Sequence, residues 1–319
     1  MDISVVISTC NNCERLRITL GAMAQCRVPP ERQWELVLVN NNCTDATDEV
    51  AKEFAGRIPL RYLHEPTPGV SFGRNAGLRA ASGELILCTD DDVRPCPDWL
   101  EVYWEAYREK PNGFYFGGPI ESEFETVKPS EELLRLAPPS VRGLDYGKEP
   151  RVLGADEQVV GGNWACPAQA LKGSGGYSTA PELNYAPGRL SGGEETDLME
   201  RLGKGRMRAW YLPGARVKHF VPARKCTLEH IAARAQASGQ AGVLMHYTEY
   251  AFHPRILGLP RWIYRRLASW WLKWGWARLR GRKGYREYCM LRAVLGEIQG
   301  FRELTRRRRL GPEPGTPEG

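Results

Sequence analysis

Across the first ninety residues, short apolar runs alternate with longer amphipathic stretches, and this alternation narrows the fold class more than any other feature of the chain. Residues 3–8, 36–40, 60–63 and 84–89 are rich in Val, Ile and Leu and too short to be buried helices, so they read as strands. Residues 14–26 read as a helix ended by Val28-Pro29-Pro30, and residues 45–55 as a second one with Thr44 or Asp45 as its N-cap. Residues 74–81 are a third, closed by Ser82-Gly83. Strand and helix in repeated succession imply an α/β fold with a doubly wound sheet. Such sheets bind ligands beyond the carboxyl ends of their strands, where strand order switches. Two polar clusters fall at ends of that kind, Asn40-Asn41-Asn42 and Thr89-Asp90-Asp91-Asp92.

The aspartate triplet follows the apolar run Leu85-Ile86-Leu87-Cys88. Three carboxylates crowded at a strand exit repel one another. A hard divalent cation relieves that repulsion, and oxygen ligands suit Mg²⁺ or Mn²⁺ rather than zinc. A cation held there also attracts a nucleotide diphosphate. Taken alone, the triplet reads equally well as a solvated acidic turn.

The second half of the chain is less regular. Phe114-Tyr115-Phe116 reads as a strand, residues 125–160 are rich in Pro, Gly and charge and read as a variable loop or flap, and Gly161-Gly162-Asn163-Trp164-Ala165-Cys166 suits a chain passing close to a ligand. A Gly-rich turn at 173–176, a helix at 194–202 and strands near 209–212 and 216–220 follow. At 319 residues with 42% hydrophobic content, the chain holds one large domain plus an appendage, or two modest ones. Its start lacks a basic, apolar leader, and no apolar run approaches the ~20 residues that span a bilayer, so no secretory signal and no membrane span are expected. The nine cysteines are odd in number and scattered, and Cys10-x-x-Cys13 has no second pair at zinc-ligand spacing. Reduced thiols in a cytosolic protein are the expectation.

Five motifs in order carry a resemblance. Val5-Val6-Ile7-Ser8-Thr9-Cys10-Asn11, Val39-Asn40-Asn41-Asn42-Cys43-Thr44-Asp45, Gly69 through Arg74-Asn75-Ala76-Gly77, Asp90-Asp91-Asp92, and Gly193-Glu194-Glu195-Thr196-Asp197-Leu198 with Arg201-Leu202 together resemble an inverting family 2 glycosyltransferase of the GT-A fold. The resemblance covers roughly residues 1–225. Ser8 and Cys10 depart from the family's usual Pro-Thr-Tyr-Asn opening, and asparagines stand at 40–42 where aspartates are more usual.

The resemblance implies roles. Asp90-Asp91-Asp92 takes the place of the metal-binding D-x-D, with Asp92 chiefly on Mg²⁺ or Mn²⁺, Asp90 on the metal and nearer the ribose, and Asp91 sharing either task. His219 falls where related enzymes bring a further phosphate or metal contact; a packed histidine is the competing view. Glu195 aligns with the base that takes the proton of the attacking hydroxyl, with Glu194 and Asp197 as neighbouring candidates. Acidic residues at a helix N-terminus also favour its macrodipole without any catalytic role. Ser8, Thr9, Asn11, Asn41, Arg74 and Asn75, with Asp90 and Asp91, are the expected nucleotide contacts. Asparagine suits a uracil edge without excluding guanine or thymine, and a UDP-sugar is favoured. Gly162, Asn163 and Trp164, with Glu194, are expected to line the sugar or acceptor pocket, a tight structural turn being the alternative.

The tail differs from the body. Residues 255–309 carry 16 lysines and arginines against 3 acidic residues, while the rest carries 28 basic and 35 acidic ones within an overall charge of +6. Trp262, Trp270, Trp271, Trp274 and Trp276 lie here, half of the chain's ten tryptophans. Ile263, Leu267, Trp270, Trp271 and Trp274 recur on one helical face, which predicts either contact with an anionic membrane surface or packing on the catalytic domain. Nucleic acid is disfavoured, since no recognised nucleic-acid-binding fold accompanies the tail.

These readings predict a GT-A catalytic domain over residues 1–225, with a nucleotide half at 1–118 and a sugar and acceptor half at 119–225. A basic helical extension over 226–309 and a disordered tail over 310–319 follow. The expected activity is metal-dependent, inverting transfer from a nucleotide-diphospho-sugar to a hydroxyl on a glycan or lipid-linked glycan. The expected place is the cytoplasm, peripheral at the inner face of the membrane. A polyprenyl-phosphate glycosyltransferase is the near alternative, because an anionic acceptor would make a base at Glu195 dispensable. A non-catalytic adaptor binding membrane or nucleic acid through its basic tail is the alternative from another class.

Overall fold

A computed structural model describes residues 1–110, 112–180, 193–246 and 254–310, with side chains described as far as residue 306. The N-terminal part contains β1 (Ile3–Thr9), α1 (Cys13–Met23), β2 (Trp34–Asn40), α2 (Thr47–Phe54), β3 (Leu60–His64), α3 (Val70–Ala80), β4 (Leu85–Asp90), β5 (Val93–Pro95), α4 (Trp99–Glu109), β6 (Phe114–Gly117) and β7 (Ile120–Phe124). Next come the short helices α5 (Glu131–Leu134) and α6 (Pro139–Arg142), then β8 (Arg151–Val152), β9 (Asn163–Pro167), α7 (Ala168–Gly173), α8 (Glu194–Lys204), β10 (Arg208–Tyr211) and β11 (Val217–Val221). The C-terminal part holds α9 (Leu228–Met245), a hairpin of β12 (Arg255–Ile256) and β13 (Leu259–Pro260), α10 (Arg261–Leu279) and α11 (Tyr285–Leu310).

The main sheet runs β3-β2-β1-β4-β9-β6-β10-β8. Strands β1 to β4 are parallel, β9 is antiparallel to both of its neighbours, and β10 is parallel to β6, so the sheet is mixed. Successive side chains of a strand face opposite ways, and here both ways are apolar. Val5, Ile7, Leu36, Leu38 and Leu87 pack under α1, α2 and α4, while Val6, Val37, Val39, Ile86 and Trp164 pack under α3, α7 and α8. Each such fully buried aliphatic side chain contributes about 1.5–3 kcal/mol.

Helix α3 begins at Val70, four residues before the helix expected from sequence. Its glycines hide it, because Gly73 and Gly77 lower helix propensity. They are needed where the helix crosses β1: a β-carbon on Gly73 would lie 2.1 Å from Ser8 Oγ, and one on Gly77 2.4 Å from Val6 Cγ1. Asp45 acts just ahead of α2 rather than at its N-cap, Ala46; one carboxylate oxygen accepts from Thr47 N–H and Oγ1 and the other from Cys13 N–H, which joins the starts of α1 and α2. The stretch 125–160, expected as a loop or flap, contains α5, α6 and β8.

After β3 the chain returns to the far side of β1, which lies between β2 and β4. Strand order therefore reverses at β1. Ser8 pairs in register with Asp90, so the loop after β1 and the aspartate triplet emerge side by side at this switch point. A second sheet, β5-β11-β7, continues the triplet and sets His219 opposite Val93.

The C-terminal helices pack on one another and on the N-terminal part. Gly239 faces Ala293, Gly296 faces Gln236 and Gly300 faces Val243, so α9 and α11 run parallel at close approach. Trp262 against Phe301, the Arg266–Glu297 ion pair and Trp274 against Tyr288 make α10 antiparallel to α11. Ile231 and Ala232 of α9 and Cys289 of α11 bury with Leu133, Val141 and Val221. The expected apolar stripe of α10 is largely internal: Ile263, Leu267 and Trp270 join the α9/α11 core and Trp274 meets Tyr288. Trp271, grouped with them in sequence, faces out. The tail expected to be disordered lies, from residue 311, outside the described residues.

Candidate active site

The triplet divides its work among three directions. Both carboxylate oxygens of Asp91 are taken by the first loop, with Thr9 Oγ1 donating at 2.6 Å and Asn12 Nδ2 at 2.8 Å; Thr19 Oγ1 donates to its carbonyl at 2.8 Å. Burial, and then the charge of Asp92, push the Asp91 carboxyl up to about 7. Asp91 thus fastens β4 to the loop after β1, and its side chain is occupied rather than offered to a nucleotide. Asp92 lies 3.3 Å from His219 Nε2 and 3.8 Å from Lys225 Nζ. Burial acts to raise its pKa, but the hydrogen bond and charge of His219, with Lys225, outweigh it and hold the carboxyl below the usual range. Asp90 accepts from Arg74 Nη2 at 2.8 Å.

Arg74 is the hub. Its side chain is buried, yet it reaches Glu194 Oε1 at 3.2 Å and Glu195 Oε1 at 2.7 Å from the same nitrogen, beside the Tyr177 ring. One guanidinium therefore joins the triplet to the first turn of α8. Arg74, expected as a nucleotide contact, has its charge turned to these three carboxylates.

Glu194 and Glu195 are not equivalent. Glu194 is buried, and burial followed by the Glu195 charge pushes it up to about 7 against the pull of Arg74 and of Arg234 from α9. Glu195 is about a quarter exposed, and its Oε2 accepts the Gly161 N–H at 3.0 Å. A β-carbon on Gly161 would lie 1.8 Å from Glu195 Oε1, so the glycine is the space the carboxylate occupies. Asp197 pairs with Arg201 at 2.7 Å, and Arg201 also donates to the carbonyls of Ser174 and Gly176; that pair braces the 174–176 turn.

Several candidates sit elsewhere than expected. Asn163 is fully buried, its Oδ1 accepting from Trp99 Nε1 and Tyr103 Oη and its Nδ2 donating to the carbonyls of Pro119 and Ala215. Trp164 is fully buried on β9 beneath α3, α7 and α8. Both are core residues rather than pocket lining, because β9 is an interior strand of the sheet. Of Gly162, Asn163 and Trp164, Gly162 alone touches the site, 3.1 Å from Asp90 Oδ2 measured from a would-be β-carbon. Asn41 braces its own turn, donating to the carbonyls of Glu65 and Thr67 and accepting from Gly69 N–H. Asn75 makes a reciprocal pair with the backbone of Tyr177. Asn11, at φ +52°, accepts from Thr44 N–H, and Ser8 faces α3.

Asp92 Oδ1 and His219 Nε2 suit a divalent cation. Their 3.3 Å separation is close to that of adjacent ligands on a six-coordinate ion with bonds of about 2.0–2.2 Å, and His219 Nδ1 is buried without a hydrogen bond. No group of three or more His, Cys, Asp or Glu among the described residues is arranged to hold a metal by itself. Such an ion would draw most of its ligands from phosphate and water, the usual habit of Mg²⁺-type sites.

The sequence model of glycosyl transferase family 2 matches residues 4–152, which span β1 to β8 and include the whole triplet. Over these residues the chain is similar to glycosyl transferase family 2. Its relatives include the glucosyl-dolichyl phosphate glucuronosyltransferase of Haloferax volcanii, 26% identical over 56% of this chain and 56% of that protein. The validoxylamine A glucosyltransferase of Streptomyces hygroscopicus subsp. limoneus is 33% identical over 33% of this chain and 23% of that protein. The succinoglycan biosynthesis protein ExoM of Rhizobium meliloti is 24% identical over 70% of this chain and 68% of its own length. The chain thus spans about half, or less, of the first two. Among solved structures, the mannosyltransferase PcManGT of Pyrobaculum calidifontis aligns with a TM-score of 0.56 at 16% identity, over 94% of this chain and 87% of that one. S. aureus TarS aligns with a TM-score of 0.54 at 15% identity, over 94% and 91%. At such identities the likeness is one of fold, and the chain has the GT-A architecture expected of it.

The Arg74 motif implies a nucleotide contact rather than this ion-pair bridge, and no motif marks Asn12 or Lys225. The Gly161-Gly162 pair is the sequence signal for the close approach of Gly161 to Glu195.

Proposed function

We propose that this chain transfers a sugar from a nucleotide-diphospho-sugar to an acceptor hydroxyl with inversion, and that Glu195 is the base. The observation that carries the reading is the Arg74 bridge, which ties Asp90 at the switch point to Glu194 and Glu195 on α8. Of the two glutamates, Glu195 has the exposed carboxylate and the fixed orientation. In the reaction the acceptor O–H proton passes to Glu195 as the oxygen lone pair forms the new bond at the anomeric carbon. The bond from that carbon to the phosphate oxygen breaks, and the electron pair leaves with the nucleoside diphosphate. A single displacement inverts the centre.

Asp92 and His219 would hold Mg²⁺ or Mn²⁺, which when bound offsets the charge developing on the diphosphate. The UDP of the TarS structure and the GDP-Man and Mn²⁺ of the PcManGT structure support a nucleotide-sugar donor and a divalent cation. The names of the glucosyl-dolichyl phosphate enzyme and of ExoM support a lipid-linked glycan or glycan as the acceptor class.

Thermal-shift titration with UDP-, GDP- and dTDP-sugars, each with and without Mn²⁺, tests the reading. A ligand at about 100 times its Kd stabilises by about 2.7 kcal/mol, so one donor with Mn²⁺ should raise Tm measurably. If no nucleotide sugar shifts Tm in either condition, the reading fails.

A further inference from the structure

Helix α10 has two apolar faces, and only one is covered. At about 100° per residue, Ile263, Leu267, Trp270, Trp274 and Ala277 share one sector, the one packed inward. Leu272, Trp276 and Leu279 share the opposite sector, with Trp271 at its edge, and the four are 62%, 55%, 86% and 60% exposed in that order. Four large apolar side chains, two of them tryptophan, so displayed on one helix form a patch rather than scattered exposures.

The hairpin extends this patch. Tyr264, on the Trp271 edge of that sector, donates from its hydroxyl to the Ile256 carbonyl at 2.8 Å and so holds the β12–β13 turn near the start of the helix. Leu257 stands at the tip, 92% exposed at φ +48°.

The surrounding charge is of one sign. From Arg255 to Arg286 there are ten lysines and arginines and no aspartate or glutamate. Arg261 and Arg265 are exposed within the apolar sector itself, and Arg280 stacks its guanidinium 3.5 Å from the centroid of Trp276. Among the described residues no helix is long and apolar enough to cross a membrane, so the face can lie on a bilayer but not span one.

We propose that the outer face of α10 and the tip of the β12–β13 hairpin dock flat on an anionic lipid bilayer. Trp271, Leu272, Trp276 and Leu279 enter the headgroup boundary, where tryptophan is favoured, and the flanking arginines meet the lipid phosphates. The charge complementarity selects this occupant: a second copy of the chain would set a basic face against a basic face. The proposal stands apart from the glycosyl-transfer reading, because vesicle binding is measured without turnover.

Cosedimentation of the full chain with vesicles of phosphatidylcholine, with and without phosphatidylglycerol, tests it. Binding should be at least about tenfold tighter with phosphatidylglycerol and weaken as salt is raised. Leu272→Ser with Leu279→Ser should lower it by about tenfold or more, and Arg261→Gln with Arg265→Gln, which alters no buried contact, should lower it less and flatten the salt dependence. Equal binding to both vesicle types, or variants that bind like the wild type, would overturn the proposal. So would a wild-type dimer in sedimentation velocity that the leucine pair makes monomeric, or binding of a single-stranded oligonucleotide with none to vesicles.

Discussion

The backbone N–H of Gly161 donates to Glu195 at 3.0 Å, and a β-carbon at position 161 would fall 1.8 Å from the other oxygen of that carboxylate. Donor and vacancy together fix where Glu195 points. Gly161 has no positive φ, so space, not backbone conformation, demands glycine here. Gly161→Ala should therefore fold but displace the carboxylate by about 1 Å, lowering kcat by about 10²-fold with the donor KM little changed. Steady-state kinetics with the donor that stabilises the wild type checks this; a kcat within twofold of the wild type would exclude a positioning role.

Arg74 is the common partner of Asp90, Glu194 and Glu195. Arg74→Ala leaves these carboxylates facing one another without a counter-charge, two of them on adjacent residues of α8. The loss should be about 3–5 kcal/mol, the usual cost of removing one partner from a buried ion pair. Urea denaturation gives the value, and Arg74→Lys should recover only part of it, because a single ammonium cannot span Asp90 and α8.

Glu194 links stability to pH. Its carboxyl is raised from the ordinary value of 4.5 to about 7 in the folded protein. Between those values the folded chain retains a proton that the unfolded chain releases, so this contribution to stability is complete below about 4.5 and is lost as pH rises through about 7. Glu194→Gln cannot titrate. The difference in Tm, wild type minus variant, should fall between pH 4.5 and 8, and a constant difference would count against the burial of this charge.

Much of the first ninety residues is legible in the sequence, since β1, β2, β3 and β4 are each within a few residues of their expected bounds. Strands with apolar residues on both faces are short, continuous runs that little else resembles. The start of α3 was not legible, because Gly73 and Gly77 serve the approach to β1 at the expense of helix propensity. Asn163 and Trp164 were misplaced for a related reason: small glycines before them suggested a loop, and only the pairing of β9 between β4 and β6 shows that both side chains are interior. The acidic residues were found as residues, but their partners were not. Nothing in spacing alone tells that Asp91 answers to Thr9 and Asn12, or that Arg74 spans from Asp90 to α8, because those contacts join segments up to 120 residues apart. The α10 stripe shows the limit of periodicity: Ile263, Leu267, Trp270 and Trp274 do turn inward, but Trp271, grouped with them, faces out.

The most direct test of the account is the rate at which Glu195→Gln releases nucleoside diphosphate, using the donor that best stabilises the wild type and an acceptor glycan. Glutamine keeps the size of the side chain and an oxygen for the Gly161 N–H but has no basic carboxylate. Loss of the base should lower turnover by about 10²–10⁴-fold while the donor still raises Tm. Turnover close to that of the wild type would contradict the assignment of Glu195 as the base.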